Sequence, residues 1–448
     1  MIETTLKPCL TAFDLTLLGI GAIIGAGIFV ITGIVAATSA GPAILISYIF
    51  AALACTFSAL SYAELASTFG GSGSAYNYAL LGLGDQIAWI IGWNLILEYA
   101  LVVATVSQGW GAYIVALIRS FGVHYPYALE VGPFMGGIIN LPAMTIILLI
   151  IASLILGVKT SVRINAILVM TKLIVISLFI FIAFQNINFK NWDIFAPFGW
   201  NGIMQGAGVI FFAYIGFDAV STAAEETINP QRNLPIGILG SLIICTVLYI
   251  IVSALLTLIV PYYTLNNAAP IANALLKLGY RTSVSIISAG AIAGLSTVIL
   301  VMYYGLSRIL LAMSRDHMLP FGFAKINDRT RAPVRIILTT GVVVLILAAF
   351  IPIDVLAELV NIGTLSAFTI VCASVIILRY KKPDIHRPFK TPFSPVVPIL
   401  GIICCLYLII SLKQTTWIRF IVWTIAGFVI YFSYSRKKRR ILKETVAT

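Results

Sequence analysis

Charge is scarce in this chain. Asp, Glu, Lys and Arg make up 10% of its 448 residues, against about 25% in soluble domains. With 60% hydrophobic residues and a mean hydropathy of +1.05, that scarcity excludes an ordinary soluble globule and points to a polytopic membrane protein. Histidine is nearly missing too. His124, His317 and His386 stand far apart in predicted loops and make no metal or catalytic cluster. Six cysteines occur without a CxxC pair, which argues against a zinc site or a disulfide framework. P-loop, HExxH and GxSxG motifs are absent, which disfavours a membrane enzyme. No cofactor is expected. Acidic residues are outnumbered, 16 against 28 basic, for a net charge of +12. In a membrane chain such an excess collects in cytoplasmic loops, so no nucleic-acid partner is inferred.

What the chain has is long apolar runs. A helix crossing the hydrocarbon core needs about 20 such residues. Twelve runs qualify: 12–38, 42–67, 85–118, 138–158, 162–184, 203–228, 235–260, 283–314, 334–350, 354–379, 395–412 and 417–434. The third and eighth are long enough to tilt or to project beyond the bilayer. Placing both termini in the cytoplasm puts most Lys and Arg inside, including "RKKRR" (436–440), as the positive-inside rule requires. "INPQRNLP" (228–235) and "RYKKPDIHRPFKTPF" (379–393) read as polar connectors.

The first run contains "GIGAIIGAGIF" (19–29), with glycines at 19, 21, 25 and 27. Each interior glycine costs a helix about 0.5–1 kcal/mol relative to alanine. Gly21 and Gly25 fit a GxxxG packing pair, but the sixth run holds a second cluster, "GAGVIFFAYIGFDAVSTAAEE" (206–226). Paired interrupted spans at corresponding places in two halves signal an inverted repeat with a binding site at the membrane midplane. Runs one to five (about 12–184) and six to ten (about 203–379) then form the repeats, with two further helices at about 395–434. Freed N–H groups near Gly25, Ala26 and Gly27 suit a carboxylate. Freed carbonyls near Ile23, Phe212, Ala213 and Ile215 suit an ammonium. Together they match an α-amino acid.

Ionisable residues inside a span are functional candidates by default. Lys172 lies about ten residues into the fifth run, roughly 15 Å at helical rise and too deep to snorkel easily. Its ammonium form is costly there, so it can bind and release a proton. Glu98, in the third run, tunes substrate choice or the proton path, or pairs structurally. Asp218 joins the proton path or caps the second half of span six. Glu225 and Glu226 read as interfacial gate or loop contacts. Phe212 sits at the break as an aromatic lid or as packing. Met302 walls the side-chain pocket or packs.

"GIGAIIGAGIF", "FFAYIGFDAVSTAAEE", "GLSRILLAMSRD" and "VNIGTLSAFTIVCASVIILRY", in this order, resemble the amino acid–polyamine–organocation superfamily, and within it the bacterial members of the cationic amino acid transporter family. The resemblance covers nearly the whole chain. It implies a LeuT-like fold, here a 5+5 inverted repeat plus two C-terminal helices in an all-α polytopic membrane protein of twelve transmembrane helices. It also implies coupled amino-acid transport. By the same resemblance, the position of Lys172 is similar to that of a lysine filling the sodium site of related sodium-coupled carriers. The expected protein imports L-amino acids with protons across the cytoplasmic membrane, by alternating access, with the lipid bilayer and its substrate as partners. Amino-acid exchange and a non-transporting amino-acid sensor are the alternatives. Cationic and neutral substrates both stay open.

Overall fold

The computed structural model describes residues 10–69, 74–156, 162–327 and 332–439. Among these the regular structure is all helical, apart from one isolated parallel bridge between Leu10 and Thr227. The α-helices are α1 (Ala12–Ile23), α2 (Thr32–Val35), α3 (Ile44–Phe69), α4 (Ser74–Gly82), α5 (Asp85–Ser120), α6 (Leu141–Ile155), α7 (Val162–Phe184), α8 (Gly199–Ile210), α9 (Pro230–Ile259), α10 (Pro270–Lys277), α11 (Arg281–Arg315), α12 (Val334–Phe350), α13 (Ile353–Lys381), α14 (Val396–Ser411) and α15 (Gln414–Ile430). A helix is the form in which an apolar run satisfies its own backbone without water.

Every predicted run has a helical counterpart, with differences that have local causes. Among the described residues, seven stretches are long and apolar enough to cross a bilayer, the first of them covering Ala12–Phe69 and so two predicted runs. The runs at 138–158, 334–350 and 395–412 yield helices of 15, 17 and 16 residues. The sixth run is broken after Ile210 and continues in 3₁₀ geometry over Phe217–Glu226. The connector read at 228–235 is mostly helix, because α9 begins at Pro230. Proline is favoured in a first turn, where its missing N–H has no helical partner. α4 and α10 are short additional helices between runs.

The two longest helices, α5 and α11, pack along each other, while α1 and α3 lie against α9. α13 packs on both α5 and α14. These contacts surround the breaks in the first and sixth runs with protein. The described side chains of the buried core include polar ones that hold elements together. Glu64 of α3, 2% exposed, accepts hydrogen bonds from Arg379 of α13 through Nε (3.0 Å) and Nη2 (2.6 Å), lies 3.5 Å from Arg387, and accepts the Thr391 N–H at 2.7 Å. The basic connector after α13 is thereby fastened to α3. Glu358 similarly receives Lys413 and Thr416 at the start of α15.

Candidate functional site: two broken helices facing each other

α1 starts from a Thr11 cap, whose side chain and that of Asp14 bond reciprocally to each other's backbone. It stops at Ile24, where ψ turns to 99°. The chain winds again from Gly27, first as a π-turn over Gly27–Ile31, then through α2 and a second π-turn over Ala36–Ala40. α8 stops at Ile210, tightens to 3₁₀ over Phe211–Tyr214, and turns at Ile215 (ψ 133°) and Gly216 (φ +118°).

The two breaks touch, and glycine is what lets them. A Cβ on Gly27 would fall on the Cα and Cβ of Ala213. One on Gly216 would lie 2.9 Å from the Ala22 carbonyl, in a backbone region that L side chains avoid. The glycine clusters therefore serve close approach as well as chain interruption.

A helix end leaves its last carbonyls and first N–H groups without helical partners, and the carbonyls here are mostly answered. Lys172, fully buried on α7, donates from Nζ to Gly21 O (2.7 Å) and Ile24 O (2.9 Å). Tyr249 of α9 reaches both Ile23 O and Ala213 O with its hydroxyl, each at 2.9 Å. Phe212 O accepts the Ile215 N–H at 3.3 Å. The expectation that the carbonyls of Ile23, Phe212 and Ala213 stand free is thus corrected. Each retains a second lone pair that can face a ligand. On the other side of the first break, the N–H groups of Ala26, Gly27 and Ile28 head the restarted helix, at the positive end of its dipole.

A narrow cavity, with room in this conformation for little more than a water molecule, lies between the breaks. One wall is backbone-rich, from Ala22 and Ile23 through Gly25, Ala26 and Gly27, with Phe212 and Ile215 opposite. The other is made of Val102 and Val106 from α5 and Val298 and Met302 from α11. Among the described residues, no charged side chain lines it. Among the described residues, no group of three or more His, Cys, Asp or Glu could hold a metal ion.

The structure therefore gathers Ile23, Gly25, Ala26, Gly27, Phe212, Ile215 and Met302 at one cavity, with Ala213 immediately behind. Lys172 is behind α1 rather than in the cavity. Glu98 lies one turn from Val102 on α5, outside the lining, with one carboxyl oxygen (Oε2) buried and unpartnered. It is within electrostatic reach of Asp218. Asp218 accepts the Tyr99 hydroxyl at 3.3 Å. The two carboxylates thus form a buried group of their own beyond the cavity, apart from Lys172. The side chains of Glu225 and Glu226 lie outside the described residues. Sequence reasoning missed Tyr249 altogether. One tyrosine among 19 carries no mark of its role, since the two carbonyls it joins are far apart in the chain.

The family model described as amino acid permease matches residues 10–435. The chain belongs to this family, within the amino acid–polyamine–organocation superfamily. The permease is a multi-pass membrane transporter, not an enzyme. It is 48% identical over 435 residues to the methylthioribose transporter of Bacillus subtilis (strain 168), covering 97% of this chain and 94% of that protein. It is 47% identical over 446 residues to the branched-chain amino acid permease BcaP of the same organism, covering 98% and 95%. Human cationic amino acid transporter 4 is 37% identical over 389 residues, 85% of this chain and 61% of that protein.

Proposed function

We propose that this permease imports neutral, apolar L-amino acids across the cytoplasmic membrane together with protons, by alternating access. The carrying observation is the cavity between the two breaks. Its polar groups are backbone, and its side-chain wall is Val102, Val106, Val298 and Met302. The N–H groups at the head of the restarted first span favour the substrate's carboxylate. The remaining lone pairs of Ile23, Phe212, Ala213 and Ile215 carbonyls favour its ammonium. A cationic side chain would find no anionic partner on that wall, and leaving a charge unpaired there is costly. The name of the relative BcaP, a branched-chain amino acid permease, agrees with an aliphatic pocket.

In this reading runs one to five (12–184) and six to ten (203–379) are inverted repeats of a LeuT-like, twelve-span fold. The helices at 395–434 are additions, and both termini are cytoplasmic. Lys172 is the proton carrier, with Asp218 and Glu98 as a second buried acidic group. When charged, Lys172 ties Gly21 and Ile24 to α7; when neutral, it holds them less strongly, so protonation and the position of α1 are linked. A thermal-shift screen of the purified permease against the proteinogenic amino acids tests the substrate class. Stabilisation by leucine, valine and alanine with none by arginine or lysine is expected. The reverse ranking would contradict the apolar-pocket reading.

A further inference from the structure

α8 ends as α1 does, and a second side chain grips its end. "GIGAI" (19–23) closes α1 and "GAGVI" (206–210) closes α8. Aligned on their last residues, Gly21 falls on Gly208. Gly21 O is held by Lys172 of α7. Gly208 O is held by Asn361 of α13, whose Nδ2 lies 2.9 Å from it and 2.8 Å from Val209 O. Carbonyl oxygens only accept, so the amide nitrogen must face them. α7 and α13 are the fifth and tenth predicted runs, counterparts in the two-repeat arrangement proposed above. Asn361 is fully buried, and its Oδ1 has no partner. An idle buried oxygen costs free energy that an apolar residue would not. The position therefore carries an amide at a cost, and its two donated bonds are what the amide supplies.

We propose that Asn361 is a positioning residue for the α8 half of the site, the uncharged counterpart of Lys172. It fixes the end of α8 and, through it, Phe212 and Ile215 in the cavity wall. The hold on α1 depends on a proton; the hold on α8 does not, because an amide does not titrate in the working range. One break is then held permanently while the other is released and retaken during the cycle. This inference rests on the reading that the cavity binds an amino acid.

The test uses the full-length permease with Asn361→Leu, which keeps most of the volume and removes both donors, and Asn361→Ala. Hydrogen–deuterium exchange without ligand reads the hold directly. Faster exchange confined to 206–216, with 19–31 as in the wild type, is expected in both variants. L-Leucine titrated calorimetrically is expected to bind about tenfold more weakly, the equivalent of two lost hydrogen bonds. Residual uptake should keep its proton-gradient dependence. Unchanged exchange at 206–216, exchange raised uniformly along the chain, or wild-type leucine affinity in Asn361→Leu would each overturn the proposal. A wild-type permease that binds no leucine contradicts the proposed substrate instead, and the exchange pattern still decides whether Asn361 holds α8.

Discussion

At the scale of single residues, the site depends on what is missing from Gly27 and what is present at Lys172. Gly27 abuts Ala213 so closely that any side chain must part the two breaks. Gly27→Val is expected to abolish amino-acid binding, with no thermal shift by leucine, while the detergent-purified variant stays monodisperse. Leucine binding retained in that variant would mean that the contact of the breaks is incidental. Both residues stand out in the sequence, because glycine is costly in a helix and a cation is costly in a membrane. Tyr249 and Asn361 do not. A tyrosine or a single amide in an apolar run is ordinary, and its importance comes from carbonyls that only the folded chain brings within reach. Glu98 illustrates the converse. Its charge marked it for substrate choice, the proton path or a structural pair, and α5 turns Val102 and Val106 to the cavity while Glu98 lies a turn away, within electrostatic reach of Asp218.

At the scale of elements, the unit is the pair of breaks joined by one hydroxyl. Tyr249 can donate its single proton to only one of Ile23 O and Ala213 O at a time, so it links the two breaks through a shared bond. Tyr249→Phe leaves both carbonyls without that donor, at a cost on the order of 1–3 kcal/mol for each buried polar group left unsatisfied. Leucine affinity by calorimetry is expected to fall at least about tenfold, with the helices intact by circular dichroism. Wild-type affinity in Tyr249→Phe would show that the breaks hold their geometry unaided. The position of both breaks was legible from glycine spacing. Their form was not: π-turns after Gly27 and 3₁₀ winding after Phe211 depend on which neighbour satisfies each freed carbonyl. Helix ends were misplaced where proline starts a helix, as at Pro230, or where an apolar run is longer than the helix in it, as at 138–158.

At the scale of the whole molecule, the breaks can work only if the surrounding helices form a frame. Glu64 is part of that frame, tying α3 to Arg379 of α13 and to the connector that carries Arg387 and Thr391. Removing one partner from a buried ion pair typically costs about 3–5 kcal/mol. Glu64→Gln is therefore expected to lower the thermal midpoint clearly while leaving leucine affinity in the folded fraction unchanged. A stable variant with altered affinity would instead assign Glu64 to the site. The frame's apolar runs were readable from hydropathy, whereas its polar fastenings join residues hundreds of positions apart and were not.

Amino-acid movement through the cavity is proposed to be coupled to a proton held by Lys172. The most direct test is leucine uptake into proteoliposomes with an imposed inward proton gradient, run side by side for the wild type and Lys172→Ala. Gradient-driven accumulation is expected in the wild type. In Lys172→Ala, accumulation is lost while leucine binding by thermal shift persists. Wild-type uptake indifferent to the gradient, or gradient-driven accumulation persisting in Lys172→Ala, would contradict it.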